Sequence, residues 1–127
     1  MRKEHRVPLP KQALAILTEL HRVTGRGELL FPGLRSYKRP LSDGALGAAL
    51  RTMGFSQETH SPHGFRSTAA TLRNECGKFS VSGIEAALAH MDPDRVRAAY
   101  TRGSYWAERI EIAKYWASYL DQLRVMA

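Results

Sequence analysis

Apolar residues recur at steps of three and four through most of this chain, and this spacing is typical of helices that bury one face. The clearest stretch runs from about residue 105 to residue 124. Its apolar positions are Trp106, Ile110, Ala113, Trp116, Ala117 and Leu120. Because an α-helix turns once in about 3.6 residues, these side chains share a face, and we expect them to pack into a core rather than to form a stacking platform. The fold is therefore expected to be mainly helical.

Residues that cap or interrupt helices divide the rest of the chain. Serine and aspartate side chains accept hydrogen bonds from the first N–H groups of a helix, and proline fits its first turn. Helices are expected over about residues 10–24, 43–53, 62–76, 84–89, 95–101 and 105–124. The expected caps of the second to fifth helices are Ser42, Ser61, Ser82 and Asp94. Residues 5–9 are expected to be the end of a strand, and the Pro- and Gly-containing residues 29–40 a loop with little room for regular structure.

Composition limits the class of protein. The chain has 127 residues, 43% of them apolar, which suits one domain with a real core. Lys and Arg number 19 against 12 Asp and Glu, and the net charge of +7 favours a polyanionic partner without deciding that it is a nucleic acid. The single cysteine, Cys76, fits a reducing cytosol and is expected to be a buried small apolar residue. No apolar run is long enough for a membrane-spanning helix, and the start lacks the apolar region of a signal peptide.

The most informative segment is Ser61-Pro62-His63-Gly64-Phe65-Arg66. His63 and Arg66 are three residues apart, so their side chains share a face in the first turns of the expected helix. Unpaired N–H groups and the positive end of the helix dipole favour an anion there. Arg offers a planar two-pronged donor, and His can donate a hydrogen bond or move a proton. The pair suits a phosphate group, although a surface Arg beside a half-buried His without any role has the same spacing.

Two further segments carry side chains of the same chemical kind. His90 follows Ala87-Leu88-Ala89 at an expected helix end, where a histidine is also simply a good partner for the helix dipole. Tyr100 lies between Arg97 and Arg102. These two cations would favour ionisation of a phenol nucleophile, and they equally suit a core aromatic residue with solvated neighbours.

Three short motifs, taken in order, resemble the catalytic C-terminal domain of tyrosine recombinases, and more narrowly the phage-type integrases of prophages and integrative islands. They are His63-Gly-Phe-Arg66, Leu88-Ala-His90 and Arg97-Ala-Ala-Tyr100. Each motif is weak alone, but the set, with 24 residues from Arg66 to His90 and 10 from His90 to Tyr100, is specific. The resemblance runs from about His5 to about Leu120. It implies the helical bundle of that catalytic domain, with at most a small β remnant at the N-terminus.

The resemblance implies site-specific recombination of double-stranded DNA, in which a mobile element is integrated or excised. Tyr100 would attack the scissile phosphodiester and form a 3′-phosphotyrosyl intermediate, without a metal or other cofactor. Arg66 would stabilise the phosphate charge, with His63 as acid, base or donor and His90 as a second donor. The expected DNA contacts are Ser67, Thr68, Arg97 and Arg102, and Tyr105 is expected to have a packing role. The resemblance also implies that the intact protein self-associates as a tetramer on paired attachment sites. It further implies a location in the bacterial cytosol, at the nucleoid when DNA is bound, and no membrane partner.

The sequence departs from the family pattern at its start. That pattern has another catalytic Arg in a helix well before the segment resembling His5–Leu9, and a catalytic Lys on a β-hairpin just ahead of it. Lys3 lies too near Val7 to carry that role. We therefore expect residues 1–127 to be the C-terminal part of the catalytic domain, without the N-terminal DNA-binding domain and the early catalytic segment. Because one lost donor to the phosphate costs about a hundredfold or more in rate, the chain alone is expected to be inactive in strand cleavage.

Two other functions stay open. A DNA-binding module without chemistry explains the charge and the helices equally well, but not the order and spacing of the motifs. A metal-dependent phosphoesterase would use His60, His63 and His90, but no Asp or Glu beside His60 and His63 completes a metal site. The remaining basic residues would add affinity and salt dependence but no sequence specificity. They are Arg22, Arg26, Arg35, Lys38 and Arg39.

Overall fold

A computed structural model describes residues 5–89 and 105–127 of the chain. This part is mainly helical, as expected, with five helices and one small sheet. In chain order the elements are α1 (Lys11–Thr24), β1 (Pro32–Gly33), β2 (Ser36–Pro40), α2 (Ala45–Thr52), α3 (Pro62–Glu75), α4 (Val81–Ala87) and α5 (Trp106–Met126). The helix expected over residues 95–101, with its cap Asp94, lies outside the described residues. No helix of the described segments is long and apolar enough to cross a membrane.

The β structure lies at residues 32–40 and not at residues 5–9, where a strand end was expected. Residues 5–10 form no regular element, whereas β1 and β2 pair as an antiparallel hairpin inside the segment expected to be an irregular loop. The pairs Gly33–Ser36 and Pro32–Pro40 leave Leu34 and Arg35 as a two-residue turn, with an irregularity in the register. Both prolines lie at strand ends, where a missing N–H group costs no ladder hydrogen bond. The hairpin pairs within itself, so it forms without the distant strand that residues 5–9 would need.

Two of the expected helix caps are wrong. Ser80 rather than Ser82 caps α4, because its Oγ accepts a hydrogen bond from the backbone N–H of Gly83 at 3.0 Å. Gly44 precedes α2 without any side-chain cap, while Ser42 only accepts the N–H of Ala45 through its carbonyl oxygen. Both errors come from choosing between polar residues only a few positions apart, which the local sequence does not distinguish.

The described residues divide into two compact units. The first contains residues 5–13 and the described residues of 67–127, and the second contains residues 14–66. The core of the first unit is the buried cluster of Ile84, Leu88 and Ile112. Partly buried residues packed against it are Ala70, Phe79 and Ala87. In the second unit Leu50 of α2 is buried, and α1 has no buried residue.

The buried face of α5 matches the expected one only in part. Ala117 is buried and Ile110, Ala113 and Trp116 are half-buried, but Trp106 and Leu120 are 39% and 46% exposed. The side chains that the sequence analysis overlooked are Ile112, which is 1% exposed, and Arg109, which is 9% exposed. Helix α5 packs against α4 on one side, while Arg109 donates to the carbonyl oxygen of Arg6 in the N-terminal segment. Because α5 has neighbours on more than one side, a single apolar stripe does not describe its burial.

The carboxylate of Glu108 joins α5 to the start of α4. Its Oε1 accepts the backbone N–H of Ser80 at 2.6 Å, and its Oε2 accepts the Ser80 hydroxyl at 2.8 Å. A Cβ atom added at Gly83 would overlap Oε2 of Glu108. The absence of a side chain at Gly83 therefore gives the carboxylate room at this helix terminus.

Candidate functional site

The start of α3 is built by the capping pattern that the sequence predicts. The Oγ of Ser61 accepts the N–H of Gly64 at 3.1 Å, and Pro62 occupies the first helical position. The turn before it is held by Ser56, whose Oγ accepts the N–H of Thr59 at 3.2 Å, and by the N–H of His60, which donates to the Ser56 carbonyl oxygen at 3.0 Å. These short-range bonds fix the direction in which α3 leaves the turn.

His63 and Arg66 both have exposed side chains in the first turns of α3. Residues three apart in a helix lie on neighbouring positions of one face, as expected for this pair. No acidic residue lies in the first turn of α3. The positive charge of Arg66, the hydrogen-bonding capacity of both side chains and the positive end of the helix dipole suit an anion such as a phosphate oxygen.

The other residues expected on this helix divide between two faces. Ser67 and Thr68 are both exposed. Ser67 follows His63 by four residues and lies on the same face, whereas Thr68 lies about 140° around the helix from His63. The helix thus brings His63, Arg66 and Ser67 together and directs Thr68 elsewhere. The contact of Ser67 and Thr68 with DNA remains a prediction.

The remaining predicted site residues fall outside the described part of the chain. They are His90, Arg97, Tyr100 and Arg102. Their convergence with His63 and Arg66 stays a prediction. Tyr105, expected to have a packing role, is half-buried directly before α5, where its carbonyl oxygen accepts the N–H of Arg109 at 2.8 Å.

His60, the histidine that a metal site would need beside His63, is turned toward protein. Its ring packs edge-on against Phe65, with ring centroids 4.0 Å apart, and its Nε2 is buried without a hydrogen-bond partner among the described residues. Within residues 5–89 and 105–127, no group of three or more metal-ligating side chains is close enough to hold an ion. The described residues therefore give the metal-dependent alternative no support.

The second half of α3 is anchored in the core of the first unit. Ala69 is buried, and Ala70 packs against the Ile84 cluster. The guanidinium carbon of Arg73 lies 5.0 Å from the centroid of the Trp116 ring, and burial lowers the pKa of Arg73 below its ordinary value. Since the guanidinium stays charged at any physiological pH, this contact is a cation–π interaction that holds α3 against α5.

Cys76 is half-buried, not buried as expected, and its Sγ donates to the carbonyl oxygen of Arg73 at 3.1 Å. It lines a cavity of about 260 Å³ between α3 and α5. The other lining residues are Leu72, Glu75, Tyr115, Trp116 and Tyr119. Hydrogen bonding with Cys76, followed by burial and by the charges of Cys76 and Tyr119, raises the pKa of Tyr115.

Arg109 is buried although nothing in the local sequence predicts it. Its guanidinium carbon lies 5.3 Å from the centroid of the Trp106 ring, and its Nε is buried without a hydrogen-bond partner in the described segments. Burial lowers its pKa. Arg109 stands between acidic and apolar residues in Glu108-Arg-Ile-Glu111, a pattern that resembles an ordinary exposed helix face, so no local signal marked it.

Comparison with known proteins gives consistent matches. The family model described as the phage integrase family matches residues 1–105. The integrase of Enterobacteria phage P4 is 40% identical over 126 residues, which are 98% of this chain and 29% of that protein. Prophage integrase IntA of Escherichia coli (strain K12) is 40% identical over 117 residues, 92% of this chain and 28% of the relative. The chain spans less than a third of these relatives. No solved structure matches significantly.

Proposed function

The chain belongs to the phage integrase family, and on that premise we propose that it is the part of a site-specific recombinase that cuts and rejoins double-stranded DNA. The observation that carries the proposal is the His63–Arg66 pair, exposed in the first turns of α3, with no acidic residue in the first turn. Fixed cations and N–H donors aimed at a phosphate are what phosphoryl transfer requires of a protein.

Tyr100 is the proposed nucleophile. Its phenolic oxygen attacks the scissile phosphorus, a new O–P bond forms to the tyrosine, and the bond to the 5′ oxygen breaks, leaving a 5′-hydroxyl. A hydroxyl of another strand then attacks the 3′-phosphotyrosyl linkage and releases Tyr100. Because each step exchanges one phosphoester bond for another, the bond energy is retained and no nucleotide cofactor is consumed.

His63, Arg66 and His90 have proposed roles around this phosphate. Arg66 neutralises the non-bridging oxygens, which gain charge in the transition state. His63 acts as proton donor or acceptor, or as a hydrogen-bond donor to the phosphate, and His90 is the second donor. The proposed contacts to the flanking DNA backbone are Ser67, Thr68, Arg97 and Arg102.

The activity is proposed for a protein of the length of the curated relatives, since this chain spans less than a third of them. Assembly as a tetramer on paired attachment sites belongs to the same proposal. For the 127 residues alone, we propose weak, salt-dependent binding of duplex DNA without strand cleavage.

The test is covalent capture on a nicked duplex that traps the phosphotyrosyl intermediate. A form of the protein extended to the length of its relatives should yield trapped protein–DNA adducts. Tyr105→Phe should still yield them, and Tyr100→Phe should not. Adducts that persist in Tyr100→Phe and vanish in Tyr105→Phe would identify the wrong tyrosine. Binding without adducts from any form would favour the DNA-binding module without chemistry.

A further inference from the structure

The β1–β2 hairpin, residues 32–40, carries a concentration of positive charge that the proposed catalytic site does not use. Its charged residues are Arg35, Lys38 and Arg39, and it contains no Asp or Glu. All three cations are exposed. This segment is called the basic hairpin below.

The cations of the basic hairpin make no ion pair with the described residues, unlike two exposed cations on helices. In α1, Arg22 lies 3.1 Å from a carboxylate oxygen of Glu19, and in α5, Lys114 lies 2.8 Å from one of Glu111. For Arg35, Lys38 and Arg39, the described residues provide no carboxylate within ion-pair distance. Their positive charge is therefore not neutralised locally by the described part of the protein.

The basic hairpin is also held in a defined place within the second unit. Just before it, the carbonyl oxygen of Leu30 accepts the hydroxyl of Thr24 at 3.1 Å. Just after it, the N–H of Leu41 donates to the carbonyl oxygen of Phe31 at 3.0 Å, which extends the pairing by one step. The cations thus project from an anchored ribbon, so less conformational entropy is lost when they bind a partner.

The placement of the cations along the ribbon suits an extended anionic partner. Side chains alternate between the two faces of a strand, so Lys38 and Arg39 point to opposite faces, and Arg35 lies in the turn at the tip. From Arg35 to Arg39 the strand extends about 13 Å, over which duplex DNA presents about eight phosphate charges. At the tip, Leu34 is fully exposed at 100%, and Tyr37 is 60% exposed.

We propose that the basic hairpin binds the phosphate backbone of duplex DNA, as a contact additional to the His63–Arg66 pair. The inference rests on the proposed function for the identity of the polyanion. The density of phosphates along a duplex matches three uncompensated cations on one short ribbon better than an acidic protein surface does. Contacts of this kind position the protein on DNA and carry no sequence information.

The test measures binding of the 127-residue chain to a labelled duplex of arbitrary sequence by fluorescence anisotropy, over about 50 to about 200 mM salt. The hairpin variant combines Arg35→Gln, Lys38→Gln and Arg39→Gln. The matched control combines Lys11→Gln, Arg51→Gln and Arg124→Gln, which removes the same charge from exposed helical positions that likewise make no ion pair with the described residues. Circular dichroism verifies that both variants keep the helical fold.

Each phosphate contact contributes about 0.9 to the slope of log affinity against log salt. Because Lys38 and Arg39 point to opposite faces, one duplex contacts Arg35 and one of these two, so the hairpin variant should lose about 1.8 of that slope. The control should lose less than about 1 unit, as expected for cations that do not contact phosphate. A further variant, Arg35→Lys with Arg39→Lys, keeps the charge and should keep the slope.

Two results overturn the inference while the proposed function stands. One is an equal loss of slope in the hairpin and control variants, which indicates attraction to overall charge. The other is an unchanged slope in the hairpin variant. If light scattering also shows that this variant no longer self-associates, the hairpin is a protein interface instead. If the native chain shows no salt-dependent binding of duplex DNA, the DNA partner of the proposed function fails as well.

Discussion

Replacing Gly83 by alanine should be destabilising in the native protein and stabilising once Glu108 has been removed. The added Cβ would overlap Oε2 and would lie 2.5 Å from Cδ of Glu108, so the carboxylate must leave its position. The two hydrogen bonds from Ser80 would then be lost. The sign of the effect thus depends on one side chain of another helix.

The magnitude follows from two opposing contributions. Hydrogen bonds to a charged group contribute about 1.5–3 kcal/mol each when buried, and solvent exposure here reduces this to about 1 kcal/mol each. Alanine in place of glycine within a helix stabilises by about 0.5–1 kcal/mol. Gly83→Ala should therefore cost about 1 kcal/mol in the native background and stabilise by about 0.5–1 kcal/mol in Glu108→Ala. The coupling between the two positions is then about 2 kcal/mol.

The assay is urea denaturation of four proteins: the native chain, Gly83→Ala, Glu108→Ala and the double variant. Tryptophan fluorescence reports the first unit, because both tryptophans of the chain, Trp106 and Trp116, lie there. If Gly83→Ala is equally destabilising with and without Glu108, the two residues are not coupled and the contact between α4 and α5 has been misassigned. Glu108→Gln is the control for charge, since it retains an acceptor of similar shape.

Two further perturbations test the core of the first unit and the cavity beside Cys76. Ile112→Ala should lower the free energy of unfolding by about 2–5 kcal/mol in urea denaturation, because it opens a cavity at a side chain that is 1% exposed. Leu120→Ala, at a side chain that is 46% exposed, should lower it by less than about 1 kcal/mol. Equal losses would refute the assigned core. Cys76→Ala should bring the raised pKa of Tyr115 back toward its ordinary value, and Tyr119→Phe should change that pKa less. The reason is that hydrogen bonding with Cys76 is the largest cause of the raised pKa. NMR of the tyrosine ring during a pH titration measures both changes. A tyrosine whose pKa is raised in the folded state contributes stability below its ordinary pKa, and this contribution is lost as the pH rises through the raised pKa. The free energy of unfolding should therefore fall at alkaline pH, and Cys76→Ala should reduce that fall. An unchanged Tyr115 titration in Cys76→Ala would contradict the contact between Cys76 and Tyr115.

The helical character of the chain and the start of its candidate site were determined by local sequence. The Ser61–Pro62 start and the common face of His63 and Arg66 depend on residues within one or two turns of each other, so spacing and capping rules suffice. The end of α1 and most of the length of α5 follow from the same rules. Membership in the phage integrase family likewise rests on the sequence, through the family model over residues 1–105 and the similar relatives.

Tertiary structure decided the features that depend on residues far apart in the chain. Glu108 caps the start of α4 from 28 residues away, and Arg109 reaches Arg6 across 103 residues, so their partners are invisible to any local pattern. Which of Ser80 and Ser82 caps α4, and which face of α5 is buried, follow from such contacts. Local spacing determines whether a segment is helical, because helical hydrogen bonds span four residues. Burial and charge compensation depend on what packs against that helix, and those neighbours come from the whole chain.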